Sequence, residues 1–307
     1  MSSQWQLQTP VAFFIFNRPD TTARVFDSIR RAAPSRLLVV ADGPRAERGD
    51  DAQKCAAARD IVAKVDWPCE VSTDFSEANL GCRRRLSTGL DWVFGSVEEA
   101  IILEDDCLPD QSFFHFCEEL LEKYRDDRRI MMISGDNYQF GRKRTLDSYY
   151  FSRYPHIWGW ACWRRSWELY DVEMNRWPQV RDGGWLEDCF SRPGLARYWK
   201  RIFEAVYRGE IDTWDYQLTF SCLANHALCI MPAVNLVSNI GFGADAAHTR
   251  EKCRLAEMAT EAISFPLQHP PHLFRDASSD YNTECRQFPH SAALRVRNLL
   301  YRMFRRQ

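Results

Sequence analysis

The strongest constraint on the fold of this chain is a repeated change of hydrophobic period between Val11 and Gly135. Short apolar runs alternate with longer segments whose apolar residues return at helical spacing. "VAFFIF" (Val11 to Phe16) reads as a buried strand. "RPDTTARVFDSIRRA" follows as a helix, with Val25, Phe26 and Ile29 on one face and Asp20 or Thr21 as N-cap. "RLLVVAD" is a second strand, ending in the turn signal Asp42-Gly43-Pro44. "AQKCAAARDIVAKV" is a helix, "CEVSTDF" a third strand, and "LGCRRRLSTGLDWVFG" a helix with a basic first turn. "AIIL" is a fourth strand, "QSFFHFCEELLEKY" a helix and "RIMMISG" a fifth strand. This alternation predicts an α/β fold, a mostly parallel central sheet with helices on both faces. Ligands of such sheets bind outside the carboxyl ends of the strands. Three polar clusters fall at those ends: Asn17-Arg18, Asp42, and Glu104-Asp105-Asp106.

Beyond about Asn137 the pattern changes. "SYYFSRYPHIWGWACWRRSWELYD" is aromatic and irregular. "GLARYWKRIFEAVYRG" and "TWDYQLTFSCLANH" read as helices, "ALCIMP" as a short strand, and "NLVSNIGFGADAAHTR" as a Gly-rich loop. The expected organisation is a first half over 1–136, a mixed α+β half of the same domain over 137–250, and a C-terminal extension over 251–307. The last stretch, "SAALRVRNLLYRMFRRQ", has five arginines and no acid. Leu294, Leu299, Leu300, Met303 and Phe304 could share one face of a helix. Such a basic amphipathic helix either lies on an anionic membrane surface or packs on its own protein with a solvated basic face.

Charge and cysteine usage exclude several classes. The net charge of -2 gives no nucleic-acid footprint. The 11 cysteines form no C-x-x-C pair, so neither a disulfide framework nor an ordinary zinc site is written here, and reduced thiols suit a cytosolic protein. "MSSQWQLQTP" lacks the regions of a signal peptide, and no apolar run approaches the ~20 residues of a membrane span. A cytoplasmic protein, peripheral on the membrane if the last helix binds it, is the expectation. The 11 Trp residues suit either carbohydrate platforms or core packing, and core is the commoner fate of any one of them.

"AIILEDDCLPD" holds the chemistry. Three adjacent carboxylates at a strand end repel one another unless a cation neutralises them. A divalent metal with a diphosphate supplies that, because hard cations take carboxylate and phosphate oxygens. The structural alternative is N-capping of the next helix by Asp106 or Asp110, helped by Pro109 and Ser112. Capping uses one acid, not three.

With these residues in place, a resemblance becomes specific. "ILEDD-CLPDQSFFHF" is similar to the E-D-D element of N-acetylglucosaminyltransferase I and its relatives. "FFIFNRPDTTARVFDSI", "VVADGPR", "HIWGWACWRRSW" and "TWDYQL" resemble, in the same order, their first strand and turn, second strand end, Gly-Trp loop and later Trp-Asp element. The resemblance spans Val11 to Asn239, and in general style the chain is closest to bacterial family-2-like glycosyltransferases. It implies a GT-A fold and a metal-dependent inverting transferase, with Mn2+ or Mg2+, that moves a hexosyl or N-acetylhexosaminyl group. The donor would be a nucleotide-diphosphate sugar, bound by the first half. The acceptor would be a saccharide or a lipid-linked glycan, in surface polysaccharide assembly. Matched position by position, Asp106 would bind the metal. Glu104 and Asp105 would contact nucleoside and sugar, Asp42 the nucleobase, and Asn17 and Arg18 the nucleotide. Arg84, in the run Arg83-Arg84-Arg85, would add a nucleotide contact or be a solvated helix face. Asp215 would be the catalytic base, or else a helix N-cap. Trp158, Gly159, Trp160 and Trp214 would line the sugar and acceptor region, or belong to the core. His248 would be a second metal ligand, or an exposed loop residue, and the glycines of "SNIGFG" suit a loop that orders over bound donor.

Three other classes share parts of this pattern. A sugar-nucleotide nucleotidyltransferase would share sheet and metal, but it should carry glycines after the first strand, where "FNRPDT" has none. A metal-dependent phosphohydrolase needs more ligands than seven His residues readily supply. A non-catalytic carbohydrate-binding protein of the same fold would keep the rings and lose the chemistry.

Overall fold

The computed structural model describes residues 7–190, 192–242 and 255–288. Its centre is an eight-stranded sheet. Residues Val11–Ile15 form β1, Arg36–Ala41 β2 and Glu70–Phe75 β3, separated by α1 (Pro19–Ala32) and α2 (Asp51–Val62). Helix α3 (Cys82–Ser96) leads into β4 (Glu99–Glu104), then come the short β5 (Cys107–Pro109), α4 (Gln111–Lys123) and β6 (Ile130–Ser134). The second half adds β7 (Tyr149–Ser152), β8 (Trp160–Trp163), α5 (Arg164–Trp167), α6 (Trp177–Asp182), α7 (Trp185–Cys189), α8 (Pro193–Tyr207) and α9 (Asp215–Ala224). Strands β9 (Leu228–Pro232) and β10 (Val237–Asn239) and helix α10 (Ala277–Gln287) complete the described elements.

The strand order is β3-β2-β1-β4-β8-β6-β9-β7. Strands β1, β2, β3 and β4 pair in parallel, as do β6 and β9, while β8 and β7 run antiparallel to their neighbours. The expected mostly parallel α/β sheet, flanked by helices, is therefore present. Its central strands are buried along their whole length, which is why they read as unbroken apolar runs. Edge strand β3, "EVSTDF", alternates and keeps charge at its margin. Chain order reverses direction between β1 and β4, since β2 and β3 lie to one side of β1 and β4 to the other. That reversal is the topological switch point, where the strand ends leave a crevice.

Two local readings change. The start of α1 is not capped by Asp20 or Thr21. Pro19, which has no N–H to leave unpaired, takes the first helical turn, and Arg18 becomes the preceding residue. The carbonyl of Arg18 accepts from Thr22 N–H at 2.9 Å and Thr22 Oγ1 at 2.7 Å, which fixes its backbone. The loop "NLVSNIGFG" contains β10, which pairs antiparallel with β5 as a separate ribbon. Three residues are too few to show a period of two. The aromatic segment read as irregular likewise contains β7 and β8.

The main core lies between the sheet and its helices. A second cluster, with Tyr154, Trp177, Trp199, Phe203 and Phe220, gathers under α6 to α9. Among the described residues, no helix is long and apolar enough to cross a membrane. The basic segment 291–307 lies outside the described residues.

Candidate functional site

The run of buried apolar residues in β4 ends at Glu104, opposite Phe14 of β1. The next two residues then meet the end of β1. Asp105 is buried, and its Oδ2 accepts the Phe16 N–H at 2.9 Å. Arg18 Nη1 pairs with Asp106 Oδ2 and lies 3.7 Å from Asp105 Oδ1. One guanidinium thus faces three carboxylates at the switch point. Burial, then Asp106 and Asp105, push the Glu104 carboxyl well above the ordinary range, while Arg18 pulls it down. Burial and Asp106 raise Asp105 in the same way, against Arg18 and the Phe16 N–H. Among the described residues, Arg18 is the cation paired with these carboxylates. Capping does not account for the cluster, because Asp110 is the N-cap of α4, accepting from Ser112 N–H at 2.9 Å.

Asp215 reaches this cluster from the other half of the chain. It is the first residue of α9, so it is not the N-cap, and Thr213 Oγ1 donates to its carboxylate. It lies near enough to Glu104 to raise that group further. Cys82, at the start of α3, sits among the same acids: burial, then Glu104, Asp215, Asp212 and Asp42, drive its thiol pKa far up. The fold therefore brings Arg18, Glu104, Asp105, Asp106 and Asp215 together.

Other candidates have different surroundings. Asp42 is a staple. Its Oδ1 accepts Gly43 N–H at 2.8 Å and Leu80 N–H at 2.9 Å, and its Oδ2 accepts Asn79 Nδ2 at 2.9 Å and Gly81 N–H at 3.2 Å. These donors fill the roughly four lone-pair positions of a carboxylate, so its side chain ties the loop at 79–81 to the end of β2. Asn17 donates to Asp51 Oδ1 at 2.7 Å. Asp51 is also bound by Arg45 through Nε at 2.5 Å and Nη2 at 2.9 Å, and these bonds hold its carboxyl far below the usual range. Asn17 thus positions the loop after β2 through Asp51.

The arginine run divides by helical position. Arg85 is buried and donates to Asp74, while Arg83 bonds Val172 O at 2.8 Å and Glu173. Arg84 is exposed. The tryptophans divide too. Trp160 and Trp214 are core residues stacked at 5.8 Å, the alternative to walling a sugar site. Trp158 is half-buried, packed on Tyr138 and Phe242. Gly159 adopts φ +69, and its carbonyl accepts Gly135 N–H at 2.7 Å. A Cβ there would stand 2.7 Å from Val237 Cγ2. His248 lies outside the described residues.

Sequence reading passed over Arg45 and Asp136, and it read Gly241 only as one of the loop glycines. Arg45 places its guanidinium 5.3 Å from the Phe16 ring at the end of β1. Its only signal was its place after the Gly-Pro turn. Asp136, just past β6, is fully buried and accepts Trp158 N–H at 3.0 Å, so it sets the Gly-Trp loop. It sits where a strand-end acid is expected, but without a neighbouring acid to mark it. Gly241 lies against Asp106, whose carbonyl accepts Ile240 N–H at 2.8 Å. A Cβ on Gly241 would stand 2.6 Å from Asp106 Cγ. Only glycine leaves that carboxylate in place.

A divalent cation meets a partial site here. Among the described residues, no group of three or more His, Cys, Asp or Glu side chains converges as a metal cage. Asp105 gives Oδ2 to the Phe16 amide and turns Oδ1 toward Arg18, while Asp106 pairs with Arg18 directly. One carboxylate plus phosphate oxygens and water is the manner in which Mg2+ binds in phosphate sites. The described residues therefore fit a cation brought with a phosphate ligand.

No protein-family model matches the chain, and no curated protein matches it. Among solved structures, UDP-glucose pyrophosphorylase complexed with UDP-glucose is similar over 73% of this chain and 90% of that one, at 10% identity and a TM-score of 0.38. A superposition that loose carries no weight for activity.

Proposed function

We propose that the chain is a nucleotide-sugar-dependent glycosyltransferase whose donor diphosphate binds at the switch point. The observation that carries this reading is the knot of Glu104, Asp105 and Asp106 on Arg18 at the switch point, faced by Asp215 from α9. Arg18 is held at a helix start with its charge on Asp106, ready to turn to an incoming phosphate. Arg45 and the exposed Arg84 are the further cations near the nucleotide, and Trp158 the ring nearest the acceptor side. Asp106 would hold Mn2+ or Mg2+ jointly with the donor, and that ion would neutralise charge developing on the leaving diphosphate. Asp215 takes the proton of the acceptor hydroxyl as its oxygen bonds the anomeric carbon. The bond from that carbon to the diphosphate oxygen breaks, and the nucleoside diphosphate leaves with the electron pair. Attack from the opposite face inverts the centre. A saccharide or lipid-linked acceptor and a role in surface glycan assembly at the cytoplasmic side of a membrane complete the reading.

The same knot also suits nucleotidyl transfer, and the products separate the two. Transfer or slow hydrolysis of UDP-, GDP- or dTDP-sugars releases nucleoside diphosphate. Nucleotidyl transfer from a nucleoside triphosphate to a sugar phosphate releases pyrophosphate. Melting shifts with each nucleotide sugar, with and without Mn2+, identify the donor first. A protein whose melting temperature moves with none of them is not a nucleotide-sugar enzyme.

A further inference from the structure

The loop joining β6 to β7 carries three consecutive cations, Arg142-Lys143-Arg144, followed closely by Leu146. Leu146 is 94% exposed, and Phe274 is 78% exposed, the two highest values among the exposed large apolar side chains of the described residues. Arg142 and Lys143 are exposed as well. The two segments that carry them meet at one corner of the sheet. Arg144 pairs with Asp276 at 3.5 Å, and the Asp276 N–H donates to Phe151 O of β7 at 2.8 Å.

The corner also has a defined place in the fold. Tyr149 opens β7 opposite Pro232, the last residue of β9. The loop before it therefore lies at the carboxyl edge of the sheet, the edge that carries Arg18 and Asp106. Four strand spacings separate β7 from β4, about 19 Å. Exposed cations beside exposed Leu and Phe complement an anionic bilayer: the cations meet headgroup phosphates, and the apolar side chains enter the acyl boundary.

We infer that this corner is the protein's contact with an anionic lipid surface, which turns the carboxyl edge of the sheet toward the membrane. That a lipid-linked acceptor is thereby presented to the site rests on the transferase reading; the lipid contact itself does not.

The test uses the full chain, co-sedimented with vesicles of equimolar phosphatidylglycerol and phosphatidylcholine and with vesicles of phosphatidylcholine alone. Binding to the anionic vesicles only is expected. Arg142→Ser with Lys143→Ser should weaken it about 25-fold, about fivefold for each cation lost. Leu146→Ser with Phe274→Ser should weaken it further at unchanged charge. Melting temperatures should not move, because all four side chains are exposed. Wild-type protein that ignores anionic vesicles overturns the inference and leaves the corner to a soluble partner. Binding unchanged in both double variants also overturns it, because the contact then lies elsewhere on the chain. Loop-dependent vesicle binding in a protein whose melting ignores every nucleotide sugar sinks the transferase reading alone.

Discussion

Two acidic clusters in this molecule are built on opposite terms. Asp280 and Glu284 lie on one face of α10, and both are 1% exposed. Asp280 accepts Ser152 Oγ at 2.6 Å and has Arg153 and Arg275 at 3.5 Å. Glu284 accepts Tyr154 Oη at 2.8 Å and pairs with Arg192. Two carboxylates there meet three arginines. At the switch point, among the described residues, three carboxylates meet Arg18, and Asp215 comes near enough to act on Glu104. A cluster matched by its own cations closes a structure. One with fewer cations is relieved by taking up protons, by another cation, or by sharing its arginine with an anion.

The largest expected effect tests whether Asp215 belongs chemically to the second cluster. Asp215→Asn should cut turnover about 10²–10⁴-fold, the usual worth of a general base, while nucleotide-sugar melting shifts persist. Full turnover in that variant removes Asp215 as base. Next, Arg192→Ala should cost about 2–3 kcal/mol of stability, because among the described residues it leaves buried Glu284 with Tyr154 alone. The partial exposure of Arg192 keeps the figure at the low end. Added Mg2+ should not recover that loss in melting experiments.

Arg18→Ala should cost less, about 1–2 kcal/mol, and here added Mg2+ should recover it by binding the folded state. If Mg2+ acts alike on both variants, the two clusters do not differ as argued. The smallest effect is on pH dependence. Glu104 and Asp105 have folded pKa values above their unfolded ones. The folded state then holds protons that the unfolded chain has released, so stability falls as pH rises from the ordinary carboxylate range toward the raised values. Losing Arg18 should steepen that fall. Burial also raises Asp280, but that contribution is common to both proteins and cancels in the difference. Equal slopes would show that Arg18 does not hold the cluster.

Much of the fold was legible because parallel strands buried on both faces read as unbroken apolar runs, as β1, β2, β4 and β6 do. Strands β7, β8 and β10 were not legible. They have three or four residues each, and aromatic content at that length has no period to read. In the site, the acid triad announced itself by adjacency. The staple role of Asp42 did not, since its partners at 79–81 lie almost forty positions away.

The sequence by itself determined the alternating sheet and the delivery of three carboxylates at a strand end, because both are local matters of period and adjacency. Tertiary structure decided which charges meet. It put Arg18 on Asp106 across 88 positions, brought Asp215 from α9 beside Glu104, and sent Trp160 and Trp214 into the core. Charge neutralisation depends on distance in space, and a linear chain does not record which distant residues its own packing will bring within a few ångströms.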